Sequence, residues 1–593
     1  MRSRIYATFI AVIGASCLSA ADATLPDGNW QLSYGASPLN LNAVCVIKTT
    51  TKDGKTTAEV VDSRVGFPAT FDSFTVKDQD ISIVLKGQGL TIRFDGIVNP
   101  KSPNEVKGFF GDDRLSFKGF LKATMSDKVE ARVTPPEPPK EYAEYRKLAS
   151  DVVRALQAQR TATTEEEKEK ATKDLADAQQ KQKSEGSKFL TETIAKHADS
   201  PYAAIAADEL LTLAPTSKAS IQDVTSWMNL LLADAKSYGS VFSKRYQATI
   251  AEKVVGMKGY EEAALGLLTT AAAELTDKDD LNVQARLYKS LAKAQTAAGK
   301  KADAAKTTDK LVAIEKKLDD EYKEKVPPFK PAMYAGRQAK DANKVAVMEL
   351  FTGAQCPPCV AADVGFDALE KAYKHQDLVL IQYHMHIPGP DPLTNPTSEG
   401  RWAYYRKLFP QGVRGTPTTI FNGRIAAAGG GGMAQSQGKF NQYKEVIDEI
   451  LEESTTVEIT GTSSLKGDDI AVNVNIKGLK GLSKELKIRV LVVEESIRYV
   501  GGNQLRFHHQ VVRAALGGVE GKSVTGDTFN GDFTGKISEI KTELEDYLTN
   551  FSRPFPNPDR PMDLVNLKAI VLVQDDVDGR IIQAQQFDLK AGK

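Results

Sequence analysis

Between about residues 25 and 132, apolar and polar positions alternate in short runs, clearest over 80–85, 90–97 and 115–123, with Gly, Asp, Asn and Pro between them. Period-two alternation broken by turn residues predicts short strands, and this spacing predicts an antiparallel β domain over 24–133. Pro135, Pro136, Pro138 and Pro139 then form a stiff, extended linker. From Glu141 to Val326 the texture turns helical: Ala, Leu, Lys, Glu and Gln dominate and proline is scarce. Within this block, 161–188 is rich in mixed charge and poor in apolar residues, which suits a solvated helix or a mobile loop. A second linker holds Pro327, Pro328 and Pro331. Strand and helix patterns alternate over 342–455. The last block, 456–593, returns to β texture, with 486–494 and 567–574 as its strongest strands, and reads as an antiparallel β-sandwich.

Two stretches of the helical block look alike. Gly259, Tyr260, Glu261, Glu262 and Ala263 precede Leu265, Leu267 and Leu268; Lys300, Lys301, Ala302, Asp303 and Ala304 precede Ala305, Leu311 and Ile314. Each follows one apolar-periodic helix and opens another. The pattern resembles tetratricopeptide helix pairs, although the offset from Gly259 to Lys300 exceeds that family's period. A repeat-like scaffold of this kind suits a protein partner.

The length, 593 residues, suits several domains, and 77 basic against 77 acidic residues leave no formal net charge. That balance argues against a general nucleic-acid binder. The chain opens with Arg2 and Arg4, an apolar stretch over 5–18, then Ser19, Ala20, Ala21, Asp22 and Ala23. This reads as a cleaved secretory signal over 1–23, with cleavage after Ala21 or Ala23. Gly14 stands where a lipoprotein signal ending at Cys17 wants a bulky aliphatic residue. No later stretch is long enough to span a membrane, so the expectation is an exported protein, periplasmic or extracellular at the cell surface, without a transmembrane segment after cleavage. Four cysteines are too few for a disulfide framework. Cys45, among Ala43, Val44 and Val46, reads as a buried free thiol.

The chemistry gathers at Cys356-Pro357-Pro358-Cys359. A buried-strand run, 345–351, leads through Thr352, Gly353, Ala354 and Gln355 into this motif, and a helix from Val360 follows. Cysteines at a helix start feel unpaired N–H groups and the positive end of the helix dipole, which favour the reactive thiolate. The spacing lets the second cysteine attack a mixed disulfide made by the first. Cys356 is therefore expected as the exposed nucleophile and Cys359 as the buried resolving thiol.

Strand, motif and helix resemble the thioredoxin superfamily. Val413, Arg414, Gly415, Thr416, Pro417 and Thr418 look like that family's cis-proline segment, Asn422-Gly423 like its hairpin turn, and 440–451 like its closing helix. The resemblance covers about a fifth of the chain. It implies an α/β thioredoxin-like domain, thiol–disulfide exchange on protein or peptide thiols and disulfides, a redox partner protein, and no cofactor. It also implies that Pro417, Thr416 and Gly415 bind the substrate backbone. Gln355 replaces the family's usual tryptophan. Glu349, the acid on the first strand, becomes the candidate proton acceptor, with an unrelated role as its alternative. An insertion follows 378–385: His386, Ile387, Pro388, Gly389, Pro390, Asp391 and Pro392, Pro396, then a helix over 399–408 with an aromatic stripe of Trp402, Tyr404, Tyr405 and Phe409.

Two other readings use the same residues. His384 and His386 share one strand face, and with Cys356 and Cys359 they make the ligand set of a copper or zinc carrier. Alternatively the pair is a static disulfide in a non-enzymatic surface or periplasmic binding protein.

Overall fold

The computed structural model describes residues 25–64, 70–77, 79–87, 90–99, 102–112, 115–130, 135–556 and 559–589. The expected signal over 1–23, with Cys17, lies outside them. The chain divides into two compact units, Met1–Leu318 and Asp319–Lys593.

The first unit opens with β1 (Gly28–Ser37), β2 (Asn40–Lys52), β3 (Lys55–Ser63), β4 (Thr70–Lys77), β5 (Asp80–Gly87), β6 (Leu90–Val98), β7 (Glu105–Gly111) and β8 (Ser116–Thr124). They form one antiparallel sheet in the order β3-β2-β1-β8-β7-β6-β5-β4. The sheet curls around a single core: Trp30 and Leu32 of β1, Cys45 and Ile47 of β2, Ile81 and Ile83 of β5, and Phe94 of β6 share one cluster. Alternation gives each strand an apolar face to turn inward, while Leu41, Phe109 and Phe120 on the outer face are buried against Ala235, Tyr238 and Phe242. The expected antiparallel β domain is therefore present, and Cys45 is a buried free thiol.

Helices follow: α1 (Lys140–Thr161), α2 (Glu165–Lys196), α3 (Pro201–Ser217), α4 (Ile221–Lys236), α5 (Gly239–Gly256), α6 (Glu261–Ala273), α7 (Leu281–Ala297) and α8 (Lys301–Lys325). From α1 to α7 each packs on the next. Small alanines allow the close approach: Ala207, Ala214, Ala248, Ala251, Ala264 and Ala294 sit in one core with Val224, Leu231 and Leu268. The charged stretch over 161–188 is helical from Glu165. Thr164 caps it, accepting from the Glu167 N–H while the Glu167 carboxylate accepts from the Thr164 N–H, which satisfies two donors at that end.

The second unit contains β9 (Ala346–Thr352), α9 (Val360–Ala372), β10 (Leu378–His384), α10 (Pro396–Leu408), β11 (Thr418–Phe421), β12 (Arg424–Ile425) and α11 (Ser436–Leu451). Then come β13 (Glu458–Lys466), β14 (Asp469–Lys477), β15 (Leu486–Arg498), β16 (Phe507–Leu516), β17 (Lys522–Ser523), β18 (Phe529–Lys536), α12 (Ile537–Thr549), β19 (Leu567–Asp575) and β20 (Ile581–Asp588). One mixed sheet runs β12-β11-β9-β10-β16-β15-β19-β20, with β17 beside β15. β9 and β10 are parallel and joined through α9, whereas β11 pairs antiparallel with β9.

In place of a self-contained antiparallel C-terminal sandwich, the last block contributes strands to two sheets. β13, β14 and β18 form a separate sheet. With α12 this sheet covers one face of β15 and β19, burying Val472, Phe533 and Leu544 against Val490, Val492 and Val571. The opposing sheet is shared, because β16 pairs in parallel with β10 at Gln382 and Val511. Leu491, Val493, Ile570 and Leu572 of the other face join Val347, Phe351 and Tyr383 in a core under α10. Burial on both faces is why β15 and β19 read as unbroken apolar runs rather than alternating ones. Among the described residues, no helix is long and apolar enough to cross a membrane.

Candidate active site at the Cys-Pro-Pro-Cys loop

β9 is buried along its whole length and delivers the chain into the loop. The Cys356 N–H donates to Gly353 O at 3.0 Å, and Pro357–Cys359 form a single tight turn before α9. Cys356 and Cys359 are joined as a disulfide. The Thr416–Pro417 bond is cis, as expected. Thr416 Oγ1 lies 3.4 Å from Cys356 Sγ and its carbonyl oxygen 3.8 Å away. Cys356, Cys359, Thr416 and Pro417 thus come together from separate segments. Gly415 contributes only its carbonyl, which accepts from Thr418 Oγ1 at 2.7 Å. The Asn422-Gly423 turn is also present, both residues with positive φ, between β11 and β12.

The expected exposure of Cys356 is not met. It is 1% exposed, against 0% for Cys359. Two loops lie against the segments around Cys356. The Gly-rich tract after β12 lies across Pro358 and Pro417. On the other side, the Asn503 N–H donates to Ala354 O at 2.9 Å and the Gly502 N–H to Gln355 Oε1 at 3.0 Å, bracing the residues before Cys356.

Glu349 is placed away from the disulfide. Along β9, Val347 and Phe351 face the core under α10, whereas Met348 and Leu350 face α9. Glu349 follows the first set, because side chains alternate along a strand. Its carboxylate accepts from Arg401 Nη2 at 2.7 Å, from the Tyr383 hydroxyl at 2.9 Å and from the Tyr405 hydroxyl. Arg401 also donates to Gln574 Oε1 at 3.0 Å, so one buried network ties β9, β10, α10 and β19 together. The aromatic stripe of α10 belongs to this side: Tyr405 is wholly buried, and Trp402, Tyr404 and Phe409 pack beside it.

The acid on the cysteine side is Asp363, which the sequence reading passed over. It stands four residues after Cys359 on α9, one turn along the same face. Its carboxylate meets Thr352 Oγ1 at 2.9 Å and Gln382 Nε2 at 3.0 Å. Burial holds this carboxyl well above the usual range, with the Thr352 hydrogen bond pulling the other way. The available signal was an acid one turn past the second cysteine, among the apolar residues Val360, Ala361, Ala362 and Val364 of the first helical turn and a half.

From Asp363 a chain of polar groups runs beneath the loop. Gln382 Oε1 is 3.1 Å from His384 Nε2, and His384 Nδ1 is 2.8 Å from Asp391 Oδ2. Asp391, inside the insertion, also accepts from the Ala354 N–H at 2.6 Å and the Leu393 N–H at 2.8 Å. Burial opposes its charge, but His384 and these amides hold it below the usual carboxylate range. Both ring nitrogens of His384 are thus engaged. His386 accepts from the Asp391 N–H through Nδ1 and stacks on Phe551 at 3.8 Å, and burial lowers its pKa to about 4. Among the described residues, no three His, Cys, Asp or Glu side chains group to hold a metal ion.

No family model matches the chain, and no curated protein matches it either. Two of the solved structures that match show the extent of the likeness. HBP35 of Porphyromonas gingivalis is 16% identical with a TM-score of 0.30, over 43% of this chain and 78% of that one. Protein AGR_C_4864 from Agrobacterium tumefaciens is 15% identical with a TM-score of 0.28, over 44% of this chain and 98% of that one.

Proposed function

We propose that this protein is an exported, thioredoxin-like thiol–disulfide oxidoreductase acting on protein or peptide clients, with a second protein as its redox partner. The observation that carries the reading is the Cys356–Cys359 disulfide at the start of α9 with Thr416 Oγ1 and its carbonyl oxygen against Cys356 Sγ. In the oxidising direction, a client thiolate attacks Cys356 Sγ, forming a mixed disulfide and expelling Cys359 as a thiolate. A second client thiolate then attacks the client sulfur and releases Cys356 as a thiolate, so the client loses the two electrons the motif gains. In the reducing direction Cys356 attacks a client disulfide and Cys359 resolves the adduct. Asp363, one turn beyond Cys359, exchanges protons with the resolving thiol, and a raised carboxyl brings the two affinities closer.

Cys356→Ser is expected to abolish exchange, and Cys359→Ala to accumulate mixed disulfides with clients. Retained exchange in the first variant refutes the assignment. The burial of Cys356 favours one other reading, a static disulfide in a binding protein. A glutathione redox titration read by alkylation and mass separates the two: a reversible couple supports the oxidoreductase, and a pair that resists reduction supports the static disulfide.

A further inference from the structure

The tract Gly429, Gly430, Gly431 and Gly432 joins β12 to the short turn before α11. Its middle lies on the redox loop. The Gly431 N–H donates to Pro358 O at 2.7 Å, and the Ala361 N–H donates to Gly431 O at 2.9 Å. Gly430 spans the two segments that flank Cys356: a Cβ at this position would stand 2.0 Å from Pro358 O and 2.8 Å from Pro417 Cγ. Only glycine fits there while the tract is down. The outer side of Gly429, Gly430 and Gly432 is exposed, so one thickness of chain separates this part of the site from solvent.

Both ends of the tract are pinned. Lys439 Nζ donates to Ala427 O at 3.1 Å and to Ala428 O at 2.6 Å. At the far end the Gly432 N–H donates to Gln435 Oε1 at 2.8 Å. Between the pins there is no side chain to pull out of a core, and Gly429 already sits at φ +89°, a region open to glycine. Raising the middle therefore breaks two backbone hydrogen bonds and little else.

We infer that residues 429–432 form a strap that closes Cys356 Sγ to thiols and must lift before a client reaches it. The inference rests on the exchange reading above and adds a gate to it. Lifting also frees the Pro358 carbonyl and the Ala361 N–H, one acceptor and one donor at the spacing of a backbone bridge. An extended polypeptide segment, rather than a small thiol, is the client class that replaces both bonds. Its binding energy then offsets the opening penalty, which two net hydrogen bonds set at about 30-fold in population.

The test is the rate at which dithiothreitol reduces the native disulfide. One reagent thiolate forms a bond to Cys356 Sγ, Cys359 leaves as a thiolate, and the second reagent thiol closes the reagent's ring and releases Cys356. Gly430→Ala cannot hold the strap down and is expected to be reduced up to about 30-fold faster than the natural protein. Gln435→Ala unpins an exposed end without touching a core and is expected to fall between the two. It keeps the test open should Gly430→Ala misfold, which circular dichroism detects. Faster exchange of the Gly431 amide hydrogen accompanies both. Rates within about twofold of one another across the three proteins, or a disulfide that resists the reagent in a folded Gly430→Ala, overturn the strap. A strap variant that speeds reduction while Cys359→Ala traps no client keeps the strap and refutes the exchange reading.

Discussion

Replacing Glu349 by Gln separates the two roles available to this acid. The substitution keeps length and shape but removes the charge that faces Arg401, whose side chain is 1% exposed. At the 2.7 Å separation of the pair, an effective dielectric near 20 gives about 6 kcal/mol of gross attraction. Relief from desolvating the carboxylate offsets part of this. Stripping one partner from a buried pair leaves a net loss of about 3–5 kcal/mol, and the introduced amide keeps an acceptor, so the low end is expected. The Tyr383 and Tyr405 hydroxyls, which both donate to the carboxylate, lose their charged acceptor too. Equilibrium urea unfolding, followed by pulsed hydrogen exchange of the β9 and α10 peptides, reads this unit separately from the first. With an m-value of about 3 kcal/mol per molar urea, the midpoint falls by about 1 M. Arg401→Met is expected to cost a similar amount, and the double variant less than their sum by about 2 kcal/mol or more. Exchange by the folded fraction stays at the natural rate, because Glu349 faces the opposite side of the sheet from α9. A loss below about 1 kcal/mol, additivity within about 0.5 kcal/mol, or slowed exchange in folded Glu349→Gln refutes this reasoning.

Asp363→Asn is expected to slow resolution of the mixed disulfide by about 100-fold near neutral pH, and to flatten its pH profile, while Cys356 attacks at an unchanged rate; equal resolution rates across pH remove Asp363 from proton transfer. His508, buried with its ring 4.8 Å from that of His384, is held down at about 3, by burial first and His384 next. The unfolded chain binds the proton more readily, so this contribution is complete above about pH 6.5 and declines as pH falls toward 3, by at most about 1.4 kcal/mol per unit. His508→Gln therefore shows a shallower loss of urea midpoint between about pH 6.5 and 5, and an unchanged slope refutes the assignment. Burial pushes the Cys45 thiol up to about 12. Iodoacetamide at about pH 8 is expected to leave Cys45 unmodified in native protein and to modify it in urea, as peptide mapping reports; native labelling contradicts its burial in the core of the first sheet.

Local pattern determined much of this protein. Alternation marked the strands of the first sheet, and the shift to Ala- and Leu-rich periodicity marked the helices, because each element buries one face and its period appears in the residues. The strand, the Cys-Pro-Pro-Cys turn, the helix, Thr416-Pro417 and Asn422-Gly423 were legible for the same reason: tight backbone geometries demand particular residues. The tertiary structure decided what depends on partners distant in sequence. The side of the sheet that Glu349 faces follows from its register, but only the arrival of Arg401 and Tyr405 from α10 made it a structural ion pair. Asp363 gained its place from Thr352 and Gln382 on neighbouring strands. The parallel pairing of Val511 with Gln382 joined two blocks that composition had separated, and no local signal specifies such a pair. The seat of Gly430 against Pro358 and Pro417 was likewise decided by the tertiary structure, since a residue without a side chain acquires its role only from the atoms packed against its backbone.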